Sequence, residues 1–293
     1  MLSSREQNPN GQGPSRADLA RAGFINTTRA QRLLADPALT PLLEATPVGL
    51  LLADLADSPD PDQATLALVR LCEASPKPQQ LAQDLKRSSH RRRLLALLGA
   101  SSALGDFLIA NPDSVACLDQ EFDAEKVAAT MTSRVKSALD AGSIPDAVHG
   151  LRLGYYQALC TIAAGDLTHP QPLQYMPQVG LQLSQLADAA VAAALPIAYR
   201  KAGASDQLAF CVIAMGKTGA RELNYISDVD VMYVVGGALD ETQATASGSA
   251  VASALTDIIS GVGTLAPLWP LDAALRPEGK DGVLVRSIDS YRS

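Results

Sequence analysis

The stretch GKTGARELNYISDVDVMYV, residues 216–234, places two acidic residues, Asp228 and Asp230, one position apart in a run that alternates like a strand. Side chains of a strand alternate between faces, so Asp228 and Asp230 share one face, with Val229, Val231 and Tyr233 on the other. Two carboxylates about 7 Å apart along a strand are costly if buried unpaired. They make sense if a divalent cation sits between them and solvent, because hard cations such as Mg²⁺ take carboxylate oxygens together with substrate phosphates. Just upstream, Gly216-Lys217-Thr218-Gly219 reads as a glycine-bearing turn leading into a short helical piece. Its backbone can approach a phosphate closely, and Lys217 adds positive charge there. Downstream, Asp272 lies in a further segment expected to be a strand and would complete a two-metal clamp. A Gly loop, then Asp-x-Asp, then a distant Asp is the layout of a nucleotidyl-transfer site.

Each part alone is ordinary. Asp-x-Asp occurs at many strand ends, and Gly-x-x-Gly lacks the full phosphate-loop pattern G-x-x-x-x-G-K-[S/T]. The weight comes from the order and from the strand context. Arg276, in LRPEGKDG, has two open roles: bonding loop carbonyls, or gripping phosphate bidentately. Arg221 and Glu222 could form a surface pair, and Asp281 and Asp289 read as turn residues.

The elements that must position these groups divide the chain in two. From about Ser15 the sequence reads as helices. Ser15 is placed as an N-cap, Leu104, Phe107 and Leu108 share a face, and Leu151, Tyr155, Leu159 and Ile162 recur at helical spacing, as do Val179, Leu183, Leu186 and Ala190. The basic run KRSSHRRR at 86–93 suits either a solvated helix start or a contact with phosphate or an acidic partner. From Asp206 the texture changes. QLAFCVIAMG suits a buried strand, DVDVMYVVG a second, ETQATASGSAVASALTDIISGVG a helix ending at Gly261 or Gly263, and PLWPLDAALRPEG a third strand. The expected organisation is a flexible tail over 1–14, a helical region over 15–204 and a small α/β core with a mixed sheet over 205–293.

Composition narrows the class. With 47% hydrophobic residues the chain is not a disordered one. Its formal charge of −7 argues against chain-wide nucleic-acid binding. Cys72, Cys117, Cys160 and Cys211 form no CxxC pair and read as reduced, mostly buried thiols of a cytoplasmic protein. The apolar stretch LADAAVAAALPIA is too short to span a bilayer and is expected to be interrupted by Pro196, so no membrane partner is expected.

GKTGARELNYISDVDVMYV together with LDAALRPEGKDGVLVRS closely resembles the bacterial glutamine synthetase adenylyltransferase/deadenylyltransferase family, in wording that looks actinobacterial. LLGASSALGDFLIANPD and LRLGYYQALCTIAAGDLT resemble its N-terminal half, so the resemblance runs from about residue 20 to the end. It implies an α+β chain: an all-helical region followed by a DNA polymerase β-like nucleotidyltransferase domain with a small mixed sheet. Family members are much longer and hold two such domains, so the sequence reads as a truncated N-terminal half. That half is implied to remove AMP from a tyrosine of glutamine synthetase by phosphorolysis, releasing ADP, whereas the other half attaches AMP from ATP. Asp228, Asp230 and Asp272 would hold Mg²⁺ or Mn²⁺ and act in catalysis. Gly216, Lys217, Gly219, Ser227 of the SDxD motif and Arg276 would contact the nucleotide and phosphate groups. Ala220 stands where relatives carry a further glycine. Glutamine synthetase is the implied partner, with a PII-type signal protein as regulator. The alternatives are another polymerase β-like nucleotidyltransferase, or an inactive remnant that serves only as an interaction module.

Overall fold

The structure is a computed structural model describing residues 13–292; most of the tail expected over 1–14 lies outside the described residues. The fold is α+β, with helices as far as Ala202 and then a four-stranded mixed sheet with one long helix. The chain forms two compact units: residues up to Glu121 with Ala163–Pro170, and Phe122–Ile162 with the remainder from Gln171.

The first unit is helical. It comprises α1 (Arg16–Arg21), α2 (Thr27–Leu34), α3 (Thr40–Ala45), α4 (Val48–Ala56), α5 (Pro61–Ala74), α6 (Pro78–Asp84), α7 (Ser88–Ala100) and α8 (Ser102–Ala110). Its helix starts follow local chemistry. Ser15 caps α1 in a reciprocal capping box with Asp18, Asn26 caps α2, and Asp60 caps α5 ahead of a proline at the first helical position. The basic run enters α7 and divides: Lys86, Arg87 and Arg92 stay exposed, while His90, Arg91 and Arg93 make contacts inside the unit. Arg91 is buried, pairs with Asp54 at 2.6 Å and donates to the Leu85 carbonyl at 2.9 Å. His90 is also buried, with Nε2 3.0 Å from the Val115 carbonyl, and Arg93 donates to the Leu118 carbonyl. These three side chains brace the helical unit, and the exposed Lys86 and Arg87 leave the start of α7 solvated.

The second unit contains α9 (Ala124–Asp140), most of α10 (Ile144–Leu167), α11 (Pro172–Ala202), β1 (Leu208–Ala214), α12 (Gly216–Gly219), β2 (Val229–Gly237), α13 (Glu241–Ser260), β3 (Leu271–Asp272) and β4 (Val285–Ser287). β2 is central. It pairs antiparallel with β1 from Leu208↔Gly237 to Ala214↔Val231. Its other edge runs parallel to β3 at Asp230↔Asp272, then to β4 at Tyr233↔Val285. Val229, Val231, Tyr233 and Val235 of β2 point into a core shared with Val251, Leu255, Ile258 and Ile259 of α13 and with Leu186, Ala190 and Ile197 of α11.

Three local expectations change. β1 is not buried on both sides: Ala209, Cys211 and Ile213 are exposed, because its only strand neighbour among the described residues is β2 and one face stays open. The third strand shrinks to Leu271–Asp272. Pro267, Pro270 and Pro277 bring no N–H to a ladder, and the Asp272 carboxylate accepts from the Ala274 N–H at 2.7 Å, bending the chain into a turn. α11 runs without a break through Pro177 and Pro196. An interior proline costs about 3 kcal/mol, and burial of Ala193, Ala194, Ile197 and Ala198 around Pro196 offsets it. α11 is long and apolar enough by length and composition to cross a membrane, and 61% of its most apolar window is buried inside the fold. All four cysteines are free: Cys72 and Cys160 are buried, Cys117 is half-buried and Cys211 is exposed.

α13 lies so close to the sheet that a Cβ at Gly248 would meet Val235 Cγ1 at 2.5 Å and Val285 Cγ1 at 3.0 Å. Gly248→Ala is therefore expected to lower stability by about 1–3 kcal/mol despite alanine's better helix propensity, read as a lower urea midpoint. An unchanged or higher midpoint would mean that α13 can back away from the sheet.

Candidate active site

The two-residue strand β3 decides the site. Its parallel register puts Asp272 beside Asp230, and the Val229 N–H donates to the Pro270 carbonyl at 3.0 Å. Asp228 comes from the residue just before β2. One carboxylate oxygen from each of Asp228, Asp230 and Asp272 can be chosen so that all lie within 4.8 Å of one another. Asp228 is exposed and the other two are half-buried. The Asp230 pKa is raised above the usual carboxylate range, first by burial, then by the charges of Asp228 and Asp272, with Lys217 working the other way.

The glycine segment 216–219 is itself a helical turn, α12, and the chain after it is loop; the expected order of turn and helical piece is reversed. Gly216 has φ +52, and a Cβ there would stand 2.2 Å from Asp230 Oδ2, so only glycine lets the backbone press against this carboxylate. The Met215 N–H also donates to the Asp230 carbonyl at 2.8 Å. A Cβ at Gly219 would meet the Ala214 carbonyl at 2.7 Å. Ala220 sits in ordinary right-handed geometry and requires no glycine; besides Gly216, the left-handed residue of this turn is Arg221, at φ +66.

A chain of side chains holds the loop between α12 and β2. Lys217 Nζ donates to Ser227 Oγ at 3.1 Å, and Ser227 Oγ donates to Asn224 Oδ1 at 2.9 Å. Asn224 Oδ1 also accepts from the Ile226 N–H at 3.0 Å. Asn224 escaped the sequence reading, although an Asn that bonds the backbone two residues on is a known turn device. α11 supplies the backing. Its Ser184 hydroxyl accepts from the Leu223 N–H at 3.3 Å, and a Cβ at Gly180 would come within 3.3 Å of the Glu222 backbone. Arg221 pairs with Asp188 of α11 and not with Glu222. Arg276 donates to the carbonyls of Ala273 at 2.6 Å and Gly282 at 3.2 Å, which matches the first of its two open roles. Asp289 lies in a turn, as read from the sequence, whereas Asp281 ends a short 3-10 helix, Gly279–Asp281.

The structure thus brings Asp228, Asp230, Asp272 and Gly216 to one point, with Lys217 and Ser227 linked to each other on the adjoining loop. Three converging carboxylates are a hard-oxygen donor set, suited to Mg²⁺ or Mn²⁺.

Residues 91–293 match the family model described as glutamate-ammonia ligase adenylyltransferase. Among curated proteins, the chain is 39% identical over 293 residues to the bifunctional glutamine synthetase adenylyltransferase/adenylyl-removing enzyme of Mycobacterium avium, a match covering 97% of this chain and 28% of that protein. The protein of the same description from Streptomyces avermitilis is 39% identical over 285 residues, 93% of this chain and 27% of the relative. That from Bifidobacterium longum subsp. infantis is 34% identical over 304 residues, 96% of this chain and 28% of the relative. The chain spans under a third of the length of these relatives.

The raised Asp230 pKa has a sign that can be tested. A carboxyl whose folded pKa lies above its unfolded value destabilises the fold when ionised, and the penalty disappears below both values. Asp230→Asn is expected to raise the melting temperature of the metal-free chain at pH 7. The gain should shrink as pH falls through the carboxylate range, where the wild-type side chain is protonated as well. A drop in melting temperature at pH 7 would contradict this account.

Proposed function

This chain belongs to the glutamate-ammonia ligase adenylyltransferase family, and on that premise we propose that its site removes AMP from an adenylylated tyrosine of glutamine synthetase by phosphorolysis. One observation carries the reading: Asp228, Asp230 and Asp272 converge within 4.8 Å, with the backbone at Gly216 pressed against Asp230. The resemblance of LLGASSALGDFLIANPD, LRLGYYQALCTIAAGDLT and the ELN wording at 222–224 to the family's N-terminal half favours removal of AMP over its attachment.

In the proposed reaction an oxygen of inorganic phosphate attacks the α-phosphorus of tyrosyl-AMP. The new P–O bond makes ADP. The bond from phosphorus to the tyrosine oxygen breaks, the phenolate leaves with the electron pair, and through water it takes up the proton that the attacking hydrogen phosphate gives up. A phenol pKa of about 10 makes this a fair leaving group. Mg²⁺ or Mn²⁺, held by Asp228, Asp230 and Asp272, supplies positive charge where negative charge builds up on the transferred group. Lys217, steadied by Ser227, adds a cation beside Asp230, and Gly216 and Gly219 let the proposed phosphate-contacting turn pack closely against the Asp230 carboxylate and the Ala214 carbonyl. Arg276, whose fork already braces the loop after Asp272, is the further candidate for charge on the transferred group. Positioning and charge stabilisation account for most of such a reaction. The free thiols fit a cytoplasmic setting. A PII-type regulator enters this reading from the family resemblance alone.

The test is an assay of this chain with adenylylated glutamine synthetase, phosphate and Mg²⁺, following ADP. The expected result is ADP release that requires phosphate and metal and falls by at least about a hundredfold in Asp230→Asn. AMP attachment from ATP with no phosphorolysis would reverse the direction assigned here. No turnover in either direction by a folded chain would favour the interaction-module alternative.

A further inference from the structure

β3 is two residues long, yet Asp272 must be held beside two like charges. The connection that delivers it, residues 261–270, follows α13 with Gly261, Gly263, Pro267 and Pro270 and contains no helix or strand. Something outside the connection must fix its path. We propose that Arg152, on α10, is a positioning residue for Asp272 that acts by clamping this connection; the inference rests on the reading of Asp228, Asp230 and Asp272 as metal ligands.

Arg152 is 1% exposed, the largest side chain among those fully buried. Its guanidinium NH2 donates to the carbonyls of Ile258 at 2.8 Å and Gly261 at 2.6 Å, and its NH1 to that of Leu265 at 2.7 Å. One planar fork therefore joins the last turn of α13 to the middle of the connection. The acceptors at the helix end carry the negative pole of the helix dipole, which favours a cation there. The fit is close: a Cβ at Gly263 would lie 2.7 Å from Arg152 NH1. The same side of α10 continues the grip. His149 Nδ1 is 3.0 Å from Thr264 Oγ1, Tyr156 donates its hydroxyl to the Pro267 carbonyl at 2.8 Å, and the Tyr155 ring meets Trp269 edge-on at 6.3 Å. Beyond the clamp, Ser260 Oγ donates to the Trp269 carbonyl at 2.9 Å and accepts from the Leu271 N–H at 3.3 Å. The path from Arg152 to Asp272 is thus short and continuous. Lysine keeps the charge but not the fork, so it cannot hold three carbonyls in one plane.

Titration of the full 293-residue chain with Mn²⁺, followed by electron paramagnetic resonance of the free ion, tests this. Arg152→Lys and Tyr156→Phe are compared with wild type after circular dichroism shows each to be folded. Gly248→Ala serves as control, because it disturbs the same unit from the sheet face without touching the clamp. The Mn²⁺ dissociation constant is expected to rise about tenfold in Arg152→Lys, to rise by less in Tyr156→Phe, and to stay at the wild-type value in Gly248→Ala. Unchanged Mn²⁺ affinity in both clamp variants, or an equal loss in Gly248→Ala, overturns the proposal and leaves Arg152 a structural residue. If wild type binds no Mn²⁺, or Asp230→Asn binds it as well as wild type, the ligand reading falls first and takes this inference with it.

Discussion

Three carboxylates that converge within 4.8 Å repel one another, and the sheet-bearing unit is organised around keeping them together. In a half-buried setting the repulsion is not fully screened by water, and after burial it is the second cause of the raised pKa of Asp230. A strand of two residues has too little ladder of its own to resist it. β3 depends instead on its register with β2, on the Ser260 hydroxyl and on the grip of α10 upon the preceding connection. The restraint lies mostly in elements far away in sequence.

Much of the site is shaped by the absence of side chains. At Gly216, Gly219 and Gly180 a single added carbon would meet, respectively, a carboxylate oxygen, a carbonyl oxygen and a neighbouring backbone. Only the first also needs a left-handed backbone. That distinction explains why Ala220 is compatible with the turn: its geometry is right-handed, so glycine is not a conformational requirement at this position. The loop from Arg221 to Ser227 is held from two directions. α11 takes the near end through Ser184 and Asp188, and Asn224 and Lys217 take the far end through Ser227.

What could be read from the sequence was what short-range pattern encodes. The period of two in DVDVMYV put Asp228 and Asp230 on one face, and the Ser15 cap and the spacing through Leu151 to Ile162 marked helices that the structure contains. The same reasoning went wrong where distant contacts decide. Pro196 looks like a break until its alanine neighbours are seen to be buried. The apolar run of β1 looks doubly buried until its one open face is seen. PLWPLDAALRPEG looks like a strand until its prolines and the Asp272 turn limit the ladder. Arg152 gave no signal at all, because an arginine on an amphipathic helix is ordinary, and its three acceptors lie more than a hundred residues away.

Charge arithmetic ties the acidic cluster to the lysine beside it. Asp228, Asp230 and Asp272, fully ionised, carry −3 between them, which repels any phosphate. One divalent cation leaves −1, still the wrong sign for a phosphate anion, and a second brings the sum to +1. Lys217, which lowers the Asp230 pKa while burial and the other carboxylates raise it, supplies a further positive charge. With one cation bound it brings the total to zero, and with two to +2. On the proposed reaction, a site that admits inorganic phosphate next to a phosphate ester needs its lysine near the proposed metal ligands, not at a distant subsite. The hydrogen bond from Lys217 to Ser227, three residues before Asp230 and adjacent to Asp228, ties that charge to the segment that bears two of the carboxylates.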